Sequence, residues 1–131
     1  VVVLDVHVAK FTRGQGQESM EIFFVKYDVI DLVIALNDEM AIVAYNAILA
    51  AGRADEILIS GFDGAPEGLQ AILDGQIVAT LSQDLPAQGS EAIKAVKAYL
   101  DGGSVDKWIK TGGVAVTAEN AQEYLDKFIA E

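Results

Sequence analysis

The strongest constraint on this chain is an alternation. Short runs of aliphatic residues recur along it, and a segment with helical spacing follows each one. The run at 31–36, "DLVIAL", leads into 38–51, where Ala41, Ala44, Tyr45 and Ile48 share one helical face and Gly52 supplies a stop. The run at 56–60, "EILIS", precedes a short helix at 66–73, with Pro66 near its first turn and Asp74-Gly75 at its end. A third run at 76–82 leads into a helix at 86–100. Its Ile93, Val96 and Leu100 are predicted to face inward and its Lys94 and Lys97 to face water, and "DGGS" closes it.

Upstream, residues 1–8, "VVVLDVHV", read as a buried strand and 13–26 as a helix, which Gly14 and Gly16 each weaken by roughly 1 kcal/mol. Downstream, short extended pieces at 107–111 and 114–117 precede a last helix at 118–129, with Thr117 as its N-cap. Strand and helix thus alternate five strands deep with short connections. That order predicts an α/β fold with a mainly parallel sheet flanked by helices.

Composition agrees. The 52% hydrophobic content is mostly alanine, valine, isoleucine and leucine, which suits sheets covered by helices. A chain of 131 residues is long enough for one domain with a real core. Cysteine is absent, so there is neither a disulfide framework nor thiolate chemistry, a usage compatible with an oxidising compartment. The net charge of −11, with no lysine or arginine between Arg53 and Lys94, argues against nucleic acid, whose phosphates require a basic face. No apolar run reaches the length of a membrane span. No signal-peptide pattern opens the sequence, and a start inside a strand-like run points to a mature fragment or a truncated chain.

In a sheet of this kind, ligands bind beyond the carboxyl ends of the strands. Phe11 follows the first expected strand, Asn37 the second, Asp63 the third and Gln83 the fourth. An aromatic, two amides and a carboxylate on one rim supply fixed-direction hydrogen bonds beside an apolar face, the parts needed to hold a polyhydroxylated molecule. Asp63, between Gly61 and Gly64, reads equally as a turn residue. Asp38 and Glu39, at a helix start, are expected to stabilise its dipole, and the single histidine, His7, to be structural. The sequence offers no nucleophile paired with a base and no metal-ligand cluster. No catalytic residue, metal or cofactor is expected, and the chain does not read as an enzyme. "RGQGQES" lacks the third glycine of a dinucleotide fingerprint, and "KTGG" lacks the loop that precedes a phosphate-binding lysine. A receiver-type phosphorylation site would need acids and a lysine where Phe11 and Gln83 stand.

Three motifs carry a resemblance. "NDEMA", "GFDG" and "TLSQD", in this order and spacing, make the chain resemble the C-terminal part of periplasmic sugar-binding proteins, the ribose-binding-like solute receptors of ABC transporters. The resemblance implies a flavodoxin-like lobe of a type I periplasmic binding protein, in a periplasmic or other extracytoplasmic location. In that family two lobes close over a sugar, and the closed form docks on a membrane permease. Carried over residue by residue, Asn37, Asp63 and Gln83 would bond the hydroxyls of a monosaccharide or polyol, and Phe11 would cover its ring. Residues 1–83 would be the ligand-binding portion. Residues 84–131 would be a crossover helix, a strand and a C-terminal helix that in relatives pack partly on the other lobe. The N-terminal lobe, and the first strand and helix of the C-terminal one, have no counterpart in this sequence. The expected partners are therefore that missing lobe or a second copy of the chain, with weak or no binding alone. Two alternatives remain open: the effector-binding core of a lactose-repressor-type regulator, which shares the fold, and an inactive isolated lobe.

Overall fold

Four strands hydrogen-bond into one sheet in chain order: β1 (Leu32–Ile34), β2 (Leu58–Ser60), β3 (Ala79–Gln83) and β4 (Gly113–Thr117). Among the described residues five helices accompany them: α1 (Arg13–Lys26), α2 (Asp38–Ala50), α3 (Pro66–Leu73), α4 (Leu85–Leu100) and α5 (Ala121–Ile129). The computed structural model describes residues 1–129; Ala130 and Glu131, the end of the expected second segment, lie outside the described residues. β1, β2 and β3 run parallel, and β4 adds an antiparallel edge, with Ala79 opposite Thr117 and Gln83 opposite Gly113. This is the expected α/β architecture with a mainly parallel sheet.

Strand register decides which side chains are buried. Successive residues point to opposite faces. On one face Val33 lies beside Ile59, and Thr80 beside Val116. These join Ala41, Ala44 and Ile48 of α2, Leu69 and Ile72 of α3 and Ala121 of α5 around the core. The alternate residues Leu32, Ile34, Leu58 and Leu81 are exposed. Within β2, Ile59 keeps 1% of its surface and Leu58 keeps 56%.

Local signals set the helices. Thr12 and Asp84 cap α1 and α4 with their side chains, and Pro66 opens α3. α1 and α3 span the residues expected of them. Gly16, which weakens α1 as a helix, is needed for its packing: a Cβ there would lie 2.9 Å from Val43 of α2.

Four expectations are corrected. Residues 1–8 form no strand, so the sheet has four strands, not five, and the first element is α1. Val1, Val2, Val3, Val6 and Val8 are exposed. Side chains of α1 and its C-cap hold the segment instead. Lys26 pairs with Asp5 at 2.8 Å, Tyr27 Oη donates to the Leu4 carbonyl at 3.0 Å, and His7 Nδ1 meets Ser19 Oγ at 2.5 Å. A β-rich sequence becomes a strand only where a neighbouring strand accepts its backbone.

In α4, Ile93, Val96 and Leu100 do not face inward; they are 72%, 59% and 76% exposed, and the helix has no buried residue. Its amphipathic spacing is real, but among the described residues no element lies against the stripe. Thr117 does not cap α5, which begins at Ala121. Its hydroxyl accepts from Glu119 N at 3.4 Å within the preceding turn, and its N–H donates to Asn120 Oδ1 at 2.8 Å. Residues 107–111 carry no strand. Among the described residues no helix is long and apolar enough to cross a membrane.

Candidate functional site

Parallel pairing of β1, β2 and β3 brings their carboxyl ends to one rim. Past β2 the chain turns through Gly61–Gly64, and Asp63 is stitched to β3 on both sides. Its N–H donates to the Leu81 carbonyl at 3.0 Å, and its carbonyl accepts from Gln83 N at 3.1 Å. The Asp63 φ of 128° lies where side-chain-bearing residues rarely go. Such strain persists only where surrounding bonds over-determine it, and it concentrates at functional sites. The reward is a pairing of side chains. Gln83 Nε2 donates to Asp63 Oδ1 at 2.8 Å, so the carboxylate and the amide orient one another.

These two line an open cavity of about 310 Å³ with Phe11, Leu36 and Phe62. Phe11 reaches it from the turn before α1, where Thr12 N donates to the Ala9 carbonyl at 3.0 Å. Lys10 and Phe11 both carry positive φ there, 47° and 56°, and Phe11 stays 63% exposed. Among the described residues, Lys10, Phe11 and Asp63 are the non-glycine positions with positive φ, and two of them belong to this cavity.

Three of the four expected residues therefore converge on the cavity, and the side-chain oxygen of the fourth is engaged in a helix cap. Asn37 Oδ1 accepts from Met40 N at 2.8 Å, which caps α2. Asn37 does not line the cavity; its chain neighbour Leu36 does. Leu36 and Phe62 were missed by sequence reasoning. Phe62 had a signal, an aromatic inside "GFDG", whereas Leu36 looks like any strand residue.

Beneath the rim, Asp38 is 1% exposed. Its role exceeds dipole stabilisation of its own helix: Oδ1 accepts from the Thr80 hydroxyl at 2.6 Å, and Oδ2 from Ala65 N at 2.9 Å. Burial pushes its pKa up, the bonds from Thr80 and Ala65 pull it down, and the charge of Asp63 adds to the rise. Glu39 points outward and meets Arg13 at 3.8 Å. Among the described residues, no group of three or more histidines and carboxylates is placed to hold a metal ion.

Chemically, the cavity offers acceptor and donor groups in fixed directions beside two aromatic faces, with no lysine or arginine in its lining. The lineage follows from comparison. A family model described as "Periplasmic binding protein domain" matches residues 1–104. The chain belongs to the periplasmic binding protein family. Within it, the chain is 38% identical over 104 residues to the ribose import binding protein of Salmonella typhimurium, covering 79% of this chain and 34% of that protein. It is 38% identical over 128 residues to the fructose import binding protein of Bifidobacterium longum, covering 96% of this chain and 39% of the relative.

Solved structures agree. An ABC transporter solute binding protein from Bacillus halodurans with bound myo-inositol superposes at a TM-score of 0.80 with 35% identity, over 91% of this chain and 41% of that one. The binding protein of the arabinose ABC transporter from a Shewanella species, bound to L-arabinofuranose, gives 0.84 with 35% identity, over 95% and 43%. This periplasmic binding protein chain thus spans about a third to two fifths of the length of the curated relatives it matches.

Proposed function

We propose that this chain is the C-terminal, ligand-binding portion of an extracytoplasmic sugar receptor, non-catalytic, which serves uptake through an ABC-transporter permease. The supporting observation is the convergence of Phe11, Asp63 and Gln83 on one cavity at the strand ends. The ligand is a monosaccharide or polyol. Asp63 accepts hydrogen bonds from its hydroxyls, Gln83 bonds a second hydroxyl, and Phe11 with Phe62 covers the C–H face. Asn37, at the same rim, presents the amide hydrogens that its capping bond leaves over. Relatives named as import binding proteins favour this reading over the effector core of a transcription regulator.

Solvation sets the strength. The cavity is open on one side, and hydroxyl bonds made beside bulk water gain little over bonds to water. Binding by this chain alone is therefore millimolar. A second lobe, supplied by the rest of the receptor or by another copy, tightens it by excluding water. Calorimetric titration with ribose, xylose, galactose and glucose at millimolar concentration tests the proposal. Asp63→Ala is expected to weaken binding by at least about tenfold, or roughly 1.4 kcal/mol. Equal heats from the variant, or none from the unaltered chain, overturn it.

A further inference from the structure

We propose that Asp38 is a positioning residue of this site: its buried carboxylate clamps both ends of the Gly61–Ala65 loop and so presents Asp63 to the ligand. The inference rests on the reading that Asp63 and Gln83 bind the ligand. Asp38 itself is not among the cavity-lining residues, so it acts through others.

The clamp is built from both directions. On the entering side, Gly61 lies so close that a Cβ there would collide with Asp38 Oδ1. On the leaving side, Ala65 N donates to Asp38 Oδ2 at 2.9 Å. Between them, Gly64 N donates at 3.3 Å to the Thr80 hydroxyl, which in turn donates to Asp38 Oδ1 at 2.6 Å. Gly68 of α3 completes the enclosure, because its missing side chain is the space the carboxylate occupies. Asp63 sits in the middle of this loop at its unfavourable φ. Its own bonds to β3 fix one edge of the turn, and the Asp38–Thr80 pair fixes the other.

Burying a carboxylate is costly unless it is well bonded. A purely structural position in an α/β core is filled more cheaply by an aliphatic residue. Two features offset the cost here. Asp38 lies in the first turn of α2, and it also stands at the start of α3, whose own N-cap Ala65 makes no side-chain capping bond. One carboxylate therefore serves two helix starts and a strained loop. Losing it would free Asp63 to relax toward ordinary backbone geometry, away from Gln83.

The test uses the full chain with Thr80→Val, which deletes the hydroxyl at nearly constant volume, and Thr80→Ser, which restores it. Hydrogen exchange of the Asp63, Gly64 and Ala65 amides is followed by NMR beside sugar titrations. In Thr80→Val the loop amides should exchange about tenfold faster while those of Ile48 and Leu69 keep their rates, and affinity should fall about tenfold. Thr80→Ser should recover both. Unchanged loop exchange overturns the proposal, and so does an equal acceleration at Ile48 and Leu69, which marks a purely structural role. Loss of loop protection with undiminished affinity overturns it too, while leaving the sugar reading intact. If the unaltered chain binds no sugar, that reading fails, and the loop amides alone decide whether Asp38 holds Asp63.

Discussion

Leu58 and Ile59 are consecutive aliphatic residues of one strand, yet Ile59 is enclosed by the helices and Leu58 is mostly open. The same contrast runs across the sheet, with Val33, Thr80 and Val116 on the closed side and Leu32, Ile34 and Leu81 on the other. It extends to the helices, since α2 and α3 carry fully buried residues along one face and α4 has none. Apolar character is therefore not what distinguishes core from surface here. Coverage by another element is. The candidate site stands at the rim of the closed side, where Asp38 and Thr80 form a buried polar anchor.

That contrast can be broken most forcefully at the β2 pair. Ile59→Ala is expected to cost about 2–5 kcal/mol in urea unfolding, since it opens a cavity in packed surroundings, whereas Leu58→Ala costs less than about 1 kcal/mol. Equal losses would mean that the second face is covered in solution. Glycine sharpens the comparison next. Gly68→Ala drives a methyl into the Asp38 carboxylate and is expected to cost about 1–3 kcal/mol despite the better helix propensity of alanine. Circular dichroism melts of this variant would read the effect.

The third test is pH. Asp38 has a folded-state pKa raised above its ordinary 3.8, with Asp63, Thr80, Gly64 and Ala65 facing it. Its contribution to stability is complete below that value and is lost as pH rises through the folded pKa. Asp38→Asn imitates the neutral form. The unaltered chain should therefore lose stability relative to the variant as pH climbs above 3.8, and a constant difference across the series would refute the shift. The smallest effect is a gain. An added Cβ at Gly89 in α4 meets nothing within 4 Å, so Gly89→Ala should stabilise by about 0.5–1 kcal/mol through helix propensity alone.

Much of this was legible in advance where the physics is local. The limits of α1 and α3 follow from spacing, proline and glycine, and the end of β2 at Gly61-Phe62-Asp63-Gly64 marked Asp63 as a rim residue. Gln83 was found the same way. Asn37 was expected at the rim, but its side chain is drawn into capping α2 through the amide of Met40, three residues on. Leu36 and Phe62 were missed because lining a cavity depends on which residues meet across the rim, not on what precedes them in the chain.

By itself, then, the sequence determined what is satisfied within a few residues: helix spans, turns and the alternation that selects an α/β sheet. A helix closes its hydrogen bonds four residues away and needs no distant partner. Only the tertiary structure decided that residues 1–8 lack a strand neighbour and that Asp38 meets a hydroxyl 42 residues further on. Strand pairing, burial and a buried charge each require a group brought from elsewhere in the chain, and local pattern does not say which group arrives.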